Sequence, residues 1–182
     1  AFHAVRRVCT FASRFNRLLA HLDPARQGVA ILPTPPGKSD AAPRPSVVHI
    51  SGSQGSIAFV FAGQTDPEKS ARIAVTLLLP DGSTLPVELG DLSAAWCLLD
   101  TRITQRGHLD YTNLSAFAAV GKVFVCFGPD GARGIVCING SPLELTVPSG
   151  AGLPHISEHE GVTVVVANPR QSSKHGYSGY YI

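Results

Sequence analysis

The stretch that decides the fold is "KVFVCFGPDGARGIVCINGSPLELTV", residues 122–147. Short apolar runs, rich in Val, Ile and Phe, are broken by Gly, Pro, Asp and Asn at close intervals. That is the grammar of β-strands and turns. Asn139-Gly140 lies between "GIVCI" and "PLELTV". Both central residues of a type I′ turn need positive φ, so this dipeptide is a strong hairpin cue. "GPDGARG", residues 128–134, reads as a second hairpin, joining "KVFVCF" to "GIVCI".

The same period of two extends outward from Val47 to Ala167. "SVVHI" leads through "SGSQG" into "SIAFVFA", and "RIAVTLLL" turns at "PDGS" into "TLPVEL". Pro-Asp-Gly-Ser is a turn with a mechanism: Pro presets φ and Gly supplies positive φ. "AAWCLLDTRI" (94–103) is a further strand, "HLDYTNLSAFAAV" (108–120) one broken strand or two, and "GVTVVVA" (161–167) a last buried one. Roughly ten short strands with a turn every 8–12 residues predict a mainly β fold, an antiparallel β-sandwich, over residues 47–167.

The front of the chain differs. In "AFHAVRRVCTFASRFNRLLAHLDP", residues 1–24, apolar residues fall at Phe2, Val5, Val8, Phe11, Phe15, Leu18, Leu19 and Leu22. Steps of three and four predict one amphipathic N-terminal helix. It ends at Leu22 or Asp23, because Pro24 disfavours helical geometry in the residue before it. Its stripe of Phe2, Phe11, Phe15, Leu18 and Leu22 must cover the sandwich, pair with another copy or dock on a partner. Residues 25–46 hold five prolines and two glycines and read as a linker or strap. Residues 168–182 read as a polar and aromatic tail. The sequence has no Met and opens in mid-pattern, which predicts an interior piece, a processed product or a trimmed chain.

Hydrophobic residues make up 44% of the 182 and charged residues 15%, against about 25% charged in a typical soluble protein. A core is therefore well supplied. A net charge of +2 makes no case for nucleic acid. No apolar run approaches the ~20 residues of a membrane-spanning helix. Cys9, Cys97, Cys126 and Cys137 lack metal-type spacing and each sits in an apolar run, as buried free thiols do. The alternative, a Cys126–Cys137 disulfide across the "GPDGARG" turn, leaves the two one residue out of register.

"HISEH", residues 155–159, matches the H-x-x-E-H zinc pattern. That chemistry needs a helix to bring both imidazoles to one face. Here the flanks read as a loop running into a strand, so no metal and no cofactor is expected. Glu158 and Glu160 read as solubilising loop residues rather than the facing carboxylates of a glycosidase. "SGSQGS" lacks the G-x-S-x-G pattern of a nucleophile elbow, and no catalytic residue is assigned. Asn113 and Asn139 head formal glycosylation sequons. Trp96 reads as core. Tyr177, Tyr180 and Tyr181 are candidate sugar- or partner-contacting aromatics.

Taken in order, four of these elements resemble a known family. "GSIAFVFA" (55–62), "LLPDGSTLP" (78–86), "LDYT" (109–112) and "VCFGPDGAR" (125–133) are similar in order and spacing to the β-rich domain after the catalytic barrel in family 35 glycoside hydrolases, the β-galactosidases. Residues 55–147 carry the likeness. Ala132 stands where the family has an acid and Phe127 where it has Tyr. The first helix resembles the one that closes the family's barrel. The barrel motifs with the two catalytic glutamates do not occur in this sequence. The resemblance implies a non-catalytic accessory domain that packs on a β-galactosidase-like barrel, on the same chain or another, and helps wall the β-galactoside site. The alternative is a free-standing β-sandwich module that binds a glycan or a protein.

Overall fold

The computed structural model describes residues 2–26, 28–32, 45–63 and 73–169. The N-terminal helical pattern is broken in two. α1 spans Phe2–Arg14 and α2 spans Asn16–Ala20, with Phe15 between them at φ −111°. The helix stops earlier than the apolar spacing predicts: Leu22–Asp23 is already a strand, β1, paired with β3. The chain then crosses to β2 (Ala30–Ile31).

The remaining strands are β3 (Ser46–Gly52), β4 (Gly55–Phe61), β5 (Ile73–Leu78), β6 (Thr84–Gly90), β7 (Ala94–Arg102), β8 (His108–Val120), β9 (Val123–Phe127), β10 (Arg133–Ile138), β11 (Ser141–Thr146), β12 (His155–His159) and β13 (Val162–Ala167). The fold is mainly β and mostly antiparallel, with the N-terminal helix packed on it. A large sheet runs β1-β3-β4-β7-β8-β9-β13-β12, with β10 and β11 branching from β8; a smaller sheet is β2-β5-β6. The β9–β13 pair is parallel.

The Asn139-Gly140 hairpin forms, with φ of 52° and 78°. The "GPDGARG" hairpin does not. β9 pairs with β8 and β13, whereas β10 pairs with β8 and β11. Residues 128–132 form a corner that carries the chain from one leaf of the sheet to the other. The corner needs glycine for close approach: a Cβ on Gly128 or Gly134 would lie 2.7 or 2.8 Å from the Leu114 methyls.

β8 makes the branch possible. Between the pairs Cys97–Ser115 and Leu99–Tyr111, the three residues Thr112, Asn113 and Leu114 stand opposite Leu98. This bulge bends β8, so its first half pairs with β10 and its second with β9. Asn113 clamps the bend. Its Nδ2 donates to Pro86 O and Arg133 O at 2.9 and 2.8 Å, and its Oδ1 accepts from Ile135 N at 2.7 Å.

Period-two strands buried on both faces give two cores. Ile57, Leu98, Leu109, Phe124, Val136 and Val164 face the helix side with Phe11, Phe15 and Leu18. Ala58, Val60, Cys97 and Leu99 face the small sheet, meeting Leu77, Leu85, Val87 and Leu89.

Candidate interaction surface

The helix stripe is divided. Phe11, Phe15 and Leu18 are buried against the sheet of the same chain, with Leu19 and Leu22 half-buried beside them. Aromatic rings link the helix to the sheet: Phe11 to Phe15 at 5.2 Å, Phe11 to Trp96 at 5.7 Å, and Trp96 edge-on to Phe127 at 5.4 Å. The Trp96 indole N–H donates to Ala116 O, so its one polar atom is satisfied. The Arg7 guanidinium lies over the Phe127 ring, 5.4 Å from its centroid, a cation–π contact. Burial lowers its pKa from the ordinary arginine value and Asp91 opposes the shift.

The N-terminal half of the stripe stays open. Val8 is 51% exposed and Val5 60%. At 100° per residue they sit on the flank beside the buried arc, in line with the half-buried Ala12 and Leu19. The sheet does not reach them. Phe2 opens α1, but its side chain lies outside the described residues, as do Tyr177, Tyr180 and Tyr181.

The reactive-looking motifs do not assemble. Residues 155–159 form strand β12 rather than the expected loop, hydrogen-bonded to β13. His155 and His159 are therefore about 13 Å apart along the strand, and Glu158 points to the opposite face. His159 Nε2 pairs with Ser141 O at 2.8 Å, and Glu158 accepts from the Thr163 hydroxyl. Glu160 holds the turn at φ 50°. Among the described residues no three His, Cys, Asp or Glu side chains are grouped to hold a metal. His108 Nε2 meets Asp100 Oδ1 at 2.9 Å in an exposed pair. The neighbouring Thr101 is buried, its hydroxyl donating to Leu99 O. A cavity of about 20 Å³ between Arg7, Phe117, Phe127 and Asn168 has room for a water, not a sugar ring.

The cysteines are free. Cys97, Cys126 and Cys137 are buried as expected, but Cys9 is exposed on α1. Burial pushes the Cys97 thiol up to about 12 and raises Cys126 and Cys137 as well, which keeps these thiols protonated. The two sequon asparagines both hold structural hydrogen bonds. Asn113 is buried in the β8 clamp, and Asn139 accepts from His108 N while donating to Arg106 O.

Two structural residues escape a reading of local pattern. His49 is buried on β3 and accepts a hydrogen bond from Gly28 N, 21 positions away. Asn113 sits in what reads as an ordinary strand. Their roles depend on partners distant in sequence, which no short motif announces. No protein-family model matches this chain, and no curated protein does either.

Proposed function

We propose that this chain is a non-catalytic β-sandwich module that docks on a catalytic barrel through the open flank of α1. The observation that carries the proposal is the divided stripe. One continuous apolar pattern is buried at Phe11, Phe15 and Leu18 and left in solvent at Val5 and Val8. A helix flank so patterned is suited to a second apolar surface. The likeness of residues 55–147 to the domain after a family 35 barrel supplies the class of partner, a β-galactosidase-like glycoside hydrolase. The scattered positions of His155, His159, Glu158 and the buried thiols support a role without catalytic groups of its own.

Hydrolysis of a chromogenic β-galactoside tests the non-catalytic half of the reading. The expected outcome for the isolated chain is no turnover above the uncatalysed rate. Turnover that co-purifies with the chain and disappears on its removal overturns it.

A further inference from the structure

Residues 22–26 and 28–32 form a strap that joins the two sheets. Leu22 and Asp23 pair with Gly52 and Ser51 of β3. Arg26 O accepts from Ser51 N and Ser51 Oγ. Gly28 N then donates to His49 Nδ1 at 2.9 Å, after which Ala30 and Ile31 pair with Leu78 and Leu77 of β5. Leu32 N donates to Thr76 O. His49 is thus the last anchor on the large sheet before the strap crosses to the small one. Gly28 sits tightly there: a Cβ on it would lie 3.3 Å from Pro80 Cγ and 3.8 Å from His49 Cε1.

The geometry fixes the state of the ring. Nδ1 accepts from an amide N–H, so it carries no proton, and the neutral ring holds its proton on Nε2. Nε2 is buried without a hydrogen-bond partner. His49 as a whole is 5% exposed. A second proton must go to Nδ1, where it turns the bond to Gly28 into a donor facing a donor.

We infer that the Gly28–His49 bond is an acid-sensitive latch, which holds the strap across the two sheets when His49 is neutral and releases it when Nδ1 is protonated. No described charge counters this. Ala58 faces His49 from β4, and the small sheet presents Leu77, Leu79 and Leu85 to the same core. Tyr111 of β8 and Cys97 of β7 belong to this core as neutral groups. In the flanking segments, Arg26 pairs with Asp23, and the Asp81 carboxylate accepts from Ser83. Burial lowers the His49 pKa from its ordinary 6.5. The open strap therefore binds a proton more readily than the closed one, and closure is complete above pH 6.5 and weakens as pH falls below it.

The test is amide exchange at Gly28 in the full chain from pH 7.5 to 5, corrected for the intrinsic rate, together with ¹⁵N shifts of the His49 ring. The latch predicts an Nε2–H tautomer at pH 7.5. It also predicts a Gly28 protection factor that falls about tenfold per pH unit below 6.5, until the pH reaches the lowered His49 pKa. His49→Asn, whose Oδ1 stands where Nδ1 does and so still accepts from Gly28 but does not titrate, should hold protection level. Protection unchanged between pH 7.5 and 5, or an Nδ1–H tautomer in the unsubstituted chain, overturns the latch. So does the same acid loss in a folded His49→Asn chain.

Discussion

The large sheet is covered on both faces, and the two covers are built from different forces. On one side α1 and α2 lie over it through side chains alone, with Phe11, Phe15 and Leu18 set against Trp96 and the β8–β9–β13 core. On the other side the strap and the small sheet are held by backbone hydrogen bonds as well as apolar contact, ending on one histidine ring. The titratable group in the first cover's core is the Cys126 thiol, which burial keeps protonated. This cover ends where the sheet ends, leaving Val5 and Val8 beyond it. The second is tied to both sheets by backbone bonds but depends on an acceptor that a proton removes. A dispersion-held cover tolerates changes of pH and can extend to a further surface; a hydrogen-bonded cover is specific in register and sensitive to each acceptor.

This contrast can be broken most severely in the helix cover. Phe15→Ala removes a ring that is 5% exposed and leaves a cavity between helix and sheet. The expected loss is about 3–5 kcal/mol of unfolding free energy, measured by urea denaturation, and equal at pH 7.5 and 5.5. Asn113→Ala attacks the corner that brings the two leaves of the large sheet around the same core. It leaves Ile135 N–H, Pro86 O and Arg133 O without their partner. A loss of about 3 kcal/mol is expected, with the β10–β11 leaf gaining amide exchange before the β3–β4 hairpin.

A smaller effect separates the second cover from the first. The His49 pKa is lowered by burial, so stability from the neutral ring is present above pH 6.5 and declines as pH falls below it. In His49→Asn that decline should be absent, leaving a shallower pH–stability curve between 6.5 and 5 in matched thermal melts. The smallest effect on folding lies at the open end of α1. Val5→Ser with Val8→Ser should change stability by about 0.5 kcal/mol or less, because both side chains are already in water. The same pair should abolish docking on a partner. A large destabilisation would mean that this flank belongs to the fold and not to an interface.

What could be read from the sequence follows the range of the interactions. Asn139-Gly140 and Pro80-Asp-Gly-Ser are complete local instructions, and both turns form as read. The period of two in β4, β7 and β13 shows which faces are apolar, and each face finds a core. "GPDGARG" shows where that information stops. A turn sequence says that the chain changes direction, not which strand lies beside the next one, and Leu114 seated between Gly128 and Gly134 makes this turn a corner. The helix break at Phe15 has no Gly or Pro to announce it. Position 22 carries an apolar residue in helical register, yet it pairs as a strand because β3 offers it an edge. "HISEH" has too little β-propensity to be read as a strand; its pairing with the Val-rich β13 draws it into one. Of the candidate surface, the apolar stripe was legible, but its division into a buried and an open half was not. Where the sheet ends under the helix is a property of tertiary structure.

The central claim, that the open flank of α1 is a docking surface for a glycosidase barrel, is tested most directly by a photoreactive phenylalanine at position 8. It would be installed in the cell that makes the protein, and the adduct sequenced by mass spectrometry. The account predicts a crosslink to a peptide from the catalytic barrel of a glycoside hydrolase, lost when Val5 is also changed to Glu. Crosslinks confined to the chain's own sandwich, or to proteins of any other class, would contradict it.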